Sequence, residues 1–184
     1  MRLAKQRRTW LAMAAVLCGL PAFSADRDID TALRAAAERN DAPAFQALLA
    51  RGADVNARDA QQDTAFLIAA RSGHAALVQS ALAAGADLRS LNRYGSTALM
   101  GPAYRGHVDT VRVLLGTAID VHHVNNLGWT ALLEAIVLGT DGAMHREIVR
   151  LLIARGSDVN ARDREGATAL QLAQRKGQVE VVRM

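Results

Sequence analysis

The chain has 184 residues, enough for one domain, and its 51% hydrophobic content is ample for a core. A formal charge of +4 would suit an anionic partner, but Arg2, Lys5, Arg7 and Arg8 supply the whole excess; without them 18 basic residues face 18 acidic ones, which removes the electrostatic case for nucleic acid. One cysteine alone excludes a disulfide framework.

The basic head Met1–Arg8 contains no acid, Thr9–Leu20 is apolar, and Pro21-Ala22-Phe23-Ser24-Ala25 offers small residues for processing. This is the three-part layout of a secretory signal, too short for a spanning helix. Ala22-x-Ser24 fits the small-x-small rule better than Phe23-x-Ala25, so residues 1–24 are read as a signal peptide and 25–184 as the domain. Cys18 leaves with the signal, and Leu17 before it is too large for a typical lipid-attachment cysteine. Gln6-Arg7-Arg8-Thr9-Trp10-Leu11 fits a twin-arginine export signal as well as an ordinary secretion signal. Both lead out of the cytoplasm, to a periplasmic or secreted location, with no membrane insertion expected once the signal is removed.

Beyond this segment the chain repeats. Thr31, Thr64, Thr97 and Thr130 each open a Thr-Ala-apolar triplet at steps of 33 residues, and Thr168 follows after 38. Asp54, Asp87, Asp120 and Asp158 keep the same spacing. Such self-similarity means stacked units, none able to bury its apolar face alone. In the first unit (28–58) Asp30-Thr31 is expected to cap a helix running through Ala37, and Asn40-Asp41 to break it. Pro43 falls in the first turn of the next helix, where Phe45, Leu48 and Leu49 make an apolar stripe, and Gly52 ends it in a left-handed conformation. Unit two (59–90) repeats this plan with Thr64-Ala65-Phe66, Gly73-His74, Leu77-Val78 and Gly85. Unit three (91–123) carries Gly101-Pro102 inside its expected first helix, where a proline removes a helical bond at about 3 kcal/mol. Unit four (124–162) holds five extra residues, Thr140–Met144, expected to form a longer mobile turn; insertions in repeat arrays often map to a binding face. The fifth unit (163–184) stops short of the Leu-Leu segment of its second helix, which reads as truncation.

Gly-x-Thr-Ala-Leu, Gly-His, the Val/Leu-Leu run and Gly-Ala-Asp-Val-Asn together resemble ankyrin repeats, over essentially all of 28–184. The insertion is similar to what occurs in exported bacterial ankyrin-repeat proteins. The resemblance implies an all-α solenoid of about five stacked helix-turn-helix units with hairpin-like loops. Two departures stand out. The family's Pro after Thr is Ala32, Ala65, Ala98, Ala131 and Ala169, and its following His is Arg34, Leu67, Met100, Leu133 and Gln171. The Thr–His chain between repeats is therefore missing, and packing must do more.

No catalytic constellation emerges. His74, His107 and His145 recur with the Gly-His turn, so they read as structural rather than metal-ligating. His122-His123 beside Asn125 and Asn126 has no carboxylate or cysteine at ligand spacing. The repeated aspartates read as backbone caps, and Glu134, opposite Ile68, Gly101 and Leu172 in other units, as a cap or a partner of some neighbour. Neither an enzyme nor a cofactor nor a metal site is expected.

What remains is surface. The resemblance implies contacts from loop tips and the exposed ends of first helices: Gln61, Asp63, Arg71 and Ser72; Arg93, Tyr94, Ser96, Tyr104 and Arg105; Asn126, Leu127, Trp129, Val137 and Leu138; Arg164, Glu165, Arg175 and Lys176. Tyr94, Tyr104 and Trp129 are joined there by arginines, the residue types enriched at binding hot spots. The strongest candidates are Arg71, Arg93, Tyr94, Tyr104, Arg105, Trp129, Leu138 and Arg175. The expected function is passive docking of a periplasmic or envelope protein on a concave face with an aromatic–arginine centre. The alternative is an exported effector or inhibitor that neutralises a secreted enzyme.

Overall fold

A computed structural model of the chain describes residues 22–184. The basic head, the apolar run and Cys18 lie outside the described residues. Those described form ten helices and no strand, with one isolated bridge between Arg162 and Thr168. The helices pair as α1 (Ala22–Arg39) with α2 (Ala42–Ala50), α3 (Ala65–Arg71) with α4 (Ala75–Ala83), and α5 (Met100–Arg105) with α6 (Val108–Leu115). Then α7 (Ala131–Val137) pairs with α8 (Ala143–Ala154), and α9 (Ala169–Arg175) with α10 (Val179–Val182). First helices stack on first helices and second on second, so five units form one row with a continuous apolar interior. Phe45, Phe66, Leu77, Leu99, Leu114, Leu132, Ile148 and Leu152 are fully buried between units. Among the described residues no helix is long and apolar enough to cross a membrane.

The repeated threonine has a physical task. Thr64, Thr130 and Thr168 cap α3, α7 and α9, each hydroxyl accepting from the backbone N–H three residues on. Gln171 completes a capping box at α9. Two units depart from this. Asp30-Thr31 is no cap, because α1 already runs from Ala22 through that point and through the expected processing site; Asp30 Oδ1 instead accepts from Asp54 N at 2.8 Å. Helix α1 also extends past Ala37 to Arg39, where Asn40 at φ 56° turns the chain.

The second departure corrects the expectation for Pro102. Helix α5 starts at Met100, after two turn residues that are helical in the other units, so Pro102 falls in the first turn. There the missing N–H has no helical partner to lose. No interior bond is broken.

The insertion likewise is not a loose turn. Ala143 and Met144 join α8, which reaches 12 residues against 9 in α4 and 8 in α6. Thr140 Oγ1 lies 3.2 Å from His145 Nδ1 and accepts from Gly142 N at 3.3 Å, and Arg146 Nη1 donates to the Asp141 carbonyl at 2.7 Å. The extra residues are thus spent on a bonded corner and a further helical turn.

Between units, successive loop tips are tied by single backbone bonds: Arg93 N donates to Gln61 O at 3.0 Å and Asn126 N to Tyr94 O at 2.9 Å. On the opposite edge the Gly-His residues link neighbours. His74 Nε2 lies 3.4 Å from Glu38 O and His145 Nε2 2.8 Å from Tyr104 O, while the Arg71 carbonyl faces the His107 ring. At the last interface Gln178 Nε2 and Lys176 Nζ do this work, donating to the Ile136 carbonyl at 3.1 Å each.

Candidate functional site

Each loop tip is folded by one Asx side chain. Asn92 Oδ1 accepts from Tyr94 N at 2.9 Å and Ser96 N at 3.1 Å; Asn125 Oδ1 accepts from Leu127 N at 2.9 Å and Trp129 N at 3.1 Å. Asp59 and Asp163 do the same in their loops. Sequence reasoning singled out the other repeated aspartates, and these also cap turns: Asp54, Asp87, Asp120 and Asp158 each accept from the N–H two residues on. The two sets together fix where the tip side chains stand.

Between these tips and the first helices α3, α5 and α7 lies a groove of about 430 Å³. Its central helix contributes Gly101, whose missing side chain lets α3 come close: a Cβ there would sit 3.1 Å from Arg71 Cα. Tyr94 and Tyr104 stand on the groove with their chain neighbours. Arg93 lies over the Tyr94 ring at 4.7 Å and donates from Nη2 to its hydroxyl at 2.7 Å. Arg105 lies over the Tyr104 ring at 5.2 Å and donates from Nε at 2.8 Å. Among the described residues neither arginine has a carboxylate partner. Arg71 differs: it donates to Asp63 at 2.9 Å and reaches Glu38 at 3.4 Å. Burial still holds the Asp63 carboxyl above its ordinary value, outweighing the Arg71 guanidinium.

Glu134 of α7 also lines the groove and is only 5% exposed. Asn125 Nδ2 donates to its Oε1 at 2.6 Å and to Ser96 Oγ at 3.3 Å. Among the described residues no cation pairs with it. Burial raises its pKa to about 7 against the opposing pull of the Asn125 bond.

Of the eight strongest sequence candidates, Arg71, Arg93, Tyr94, Tyr104, Arg105 and Leu138 come together here. Trp129 does not. Its backbone is bound to Asn125 on both sides, its ring packs half-buried against the core, and it borders a separate recess of about 290 Å³ with Val137, Arg164 and Leu172. The aromatic–arginine centre therefore contains two tyrosines and no tryptophan. Arg175 is exposed at the end of α9 and lines neither hollow. Lys176 is engaged internally, its ammonium donating to the carbonyls of Ile136, Val137 and Gly139 at the end of α7.

The rings of His74, His107, His123 and His145 have backbone partners. His123 Nε2 lies 2.7 Å from Gly95 O, so it steadies the groove's loop, and burial followed by the Arg105 charge holds His107 below its usual pKa. Glu134, Asn92 and Gly101 are groove residues that sequence reasoning missed or passed over, as is Asn125, which holds Glu134 from beside the groove. The available signal was Glu134 itself, a carboxylate in a row otherwise filled by Ile68, Gly101 and Leu172. A second hollow of about 450 Å³ opens between α6 and α8, where Met144 of the insertion forms part of the wall.

The family model for ankyrin repeats in three copies matches residues 33–125, 66–163 and 103–184. A crystal structure of an ankyrin repeat domain from Acinetobacter baumannii AYE is similar at 46% identity and a TM-score of 0.79, covering 82% of this chain and 77% of that one. The ankyrin repeat protein EF0377 is similar at 35% identity, with the same TM-score and the same coverage. No curated protein matches the sequence.

Proposed function

Since the chain belongs to the ankyrin-repeat family, whose repeats are in general protein–protein interaction modules, we propose that it is a non-catalytic module docking a protein partner on the groove across α3, α5 and α7. The observation that carries this reading is the meeting of two Tyr–Arg pairs from different elements beside a hollow that crosses three units. Tyrosine gives large contact area at little entropic expense, and the arginines, already bonded to the tyrosine hydroxyls, give oriented donors. Each pair is held at its backbone by the stack, so the surface is formed before the partner arrives. Residues 1–24 direct the domain to the cell envelope, and the partner is a periplasmic or envelope protein. The support for this is the basic head, apolar run and small-residue site of the sequence.

The test is affinity capture from envelope extract with three proteins: the processed chain, Tyr94→Ala/Tyr104→Ala, and Trp129→Ala as a substitution outside the groove. One dominant protein lost only with the tyrosine pair is the expected result. Loss with Trp129→Ala alone would move the contact to the recess, and no capture by any of the three would count against protein binding. N-terminal sequencing of the exported protein checks export, with Ala25 expected first.

A further inference from the structure

We propose that the groove recognises a lysine or arginine of the partner protein flanked by acidic residues, with the basic side chain seated against Glu134 and its acidic neighbours meeting Arg93 and Arg105. This rests on the protein-binding reading and names what that site selects.

The floor supports the cation. Glu134 is more than nine-tenths buried, lines the groove, and spends only Oε1 on a protein partner, the Asn125 amide. Among the described residues its Oε2 accepts no hydrogen bond. Asp63 and Arg71 face the same hollow from the α3 side, but Arg71 is committed to Asp63 and Glu38, and among the described residues no cation pairs with Glu134. Ser96 is held by Asn125. Once ionised, a carboxylate in so desolvated a place pulls on a cation more strongly than one in water, and a cation seated beside it offsets the penalty of its burial. The walls suit the stem of that side chain: Leu67, Leu127 and Leu138 provide apolar surface for the methylenes.

The rim supports the flanking acids. Arg93 and Arg105 are exposed and carry no carboxylate partner among the described residues, so a lone cation approaching the groove meets repulsion first. Carboxylates on either side of it turn that repulsion into attraction. An anion seated at the floor would face Asp63 and Glu134 instead. The order acid, base, acid is therefore the complement of this surface.

The test uses three blocked pentapeptides at pH 8: Glu-Ala-Lys-Ala-Glu, the same peptide with norleucine for lysine, and Lys-Ala-Glu-Ala-Lys. Each is titrated into isotope-labelled protein and followed by backbone amide shifts. The first peptide is expected to move Gly101, Asn125 and Glu134 and to bind at least about tenfold tighter than either other peptide. Glu134→Gln keeps the acceptor for Asn125, and should abolish most of the preference for lysine over norleucine while leaving the fold's spectrum unchanged. If that variant unfolds, Arg93→Glu/Arg105→Glu decides, because it should reverse the preference between the first and third peptides. Equal binding of the norleucine peptide, tighter binding of the charge-reversed one, shifts confined to other surfaces, or no binding of any peptide overturns the inference. In the capture experiment, a partner lost with Tyr94→Ala/Tyr104→Ala but kept by Glu134→Gln overturns it alone. Failure to capture any protein sinks the protein-binding reading, and this inference with it.

Discussion

The raised pKa of Glu134 makes stability depend on pH with a definite sign. Its ordinary value is 4.5 and its folded value about 7, so between these the native state keeps a proton that the unfolded chain has released. Stability therefore falls as pH rises through that window and levels off above it, by up to about 3 kcal/mol. Glu134→Gln, which retains an oxygen for Asn125, should flatten this slope and be more stable than the parent at pH 8 by about 1–3 kcal/mol. Urea unfolding of both proteins at pH 5 and pH 8 checks it. Asp63 and His107 titrate too, one raised and one lowered, but their contributions cancel in the difference between parent and variant. An unchanged slope in Glu134→Gln would assign the titration elsewhere. At this scale the sequence was only partly readable. The tyrosines and arginines could be placed on one face by register, because their Cα positions follow from the repeat. The ring of Trp129 and the ammonium of Lys176 could not, because local hydrogen bonds and neighbouring units aim them.

Two helices show how a unit absorbs a break in its own pattern. In α5 the start moves to Met100, which converts Pro102 from an interior proline into a first-turn one. Pro102→Ala should therefore change stability by less than about 1 kcal/mol, where relief of an interior kink would stabilise by about 3; thermal unfolding of the variant distinguishes the two. In α7 the exit is altered rather than the entry. Gly73 and Gly106 leave their helices at φ 82°, whereas Gly139 does not take a positive φ and is buried under His145. A Cβ on Gly139 would lie 2.0 Å from the Ala135 carbonyl oxygen and 2.4 Å from the His145 ring. Gly139→Ala should cost at least about 3 kcal/mol, read as a lowered urea midpoint. Deleting Thr140–Met144 restores Gly139-His145 as an ordinary Gly-His turn. The deletion should fold with α8 shortened and cost no more than about 2 kcal/mol, measurable by circular dichroism and urea unfolding. The length and position of the insertion were readable, but its conformation was not. Whether added residues make a loop or extend a helix depends on what they find to bond, here His145 and Arg146.

For the whole molecule the repeat period carried most of the fold, because a fixed step in sequence puts equivalent apolar residues at equivalent heights in the stack. Five units and their shared core follow from Thr, Gly-His and Leu-Leu spacing without knowledge of any contact. The means of joining units did not follow. The absent Thr–His chain suggested that packing must do more, yet ring and amide donors reach the preceding unit's carbonyls along one edge, and backbone bonds tie the tips of units two, three and four along the other. Each interface is therefore both apolar and hydrogen-bonded, and each unit's stability is largely its own plus that of its two interfaces. This predicts a gradient of local opening. Helices α5 to α8 are packed on both sides and contain Leu99, Leu114, Leu132, Ile148 and Leu152, all fully buried. In α9 and α10, Leu170 is 50% exposed and Val179 53%, and α10 makes a single turn. Native-state hydrogen exchange should show the slowest amides in α5–α8, with α9 and α10 opening at free energies lower by a few kcal/mol. Filling the groove with a bound segment should raise protection in α5 and α7 first, since they share its walls, and leave α10 unchanged. Uniform protection along the chain would mean that the units open together, and that binding at the groove is felt equally at the far end.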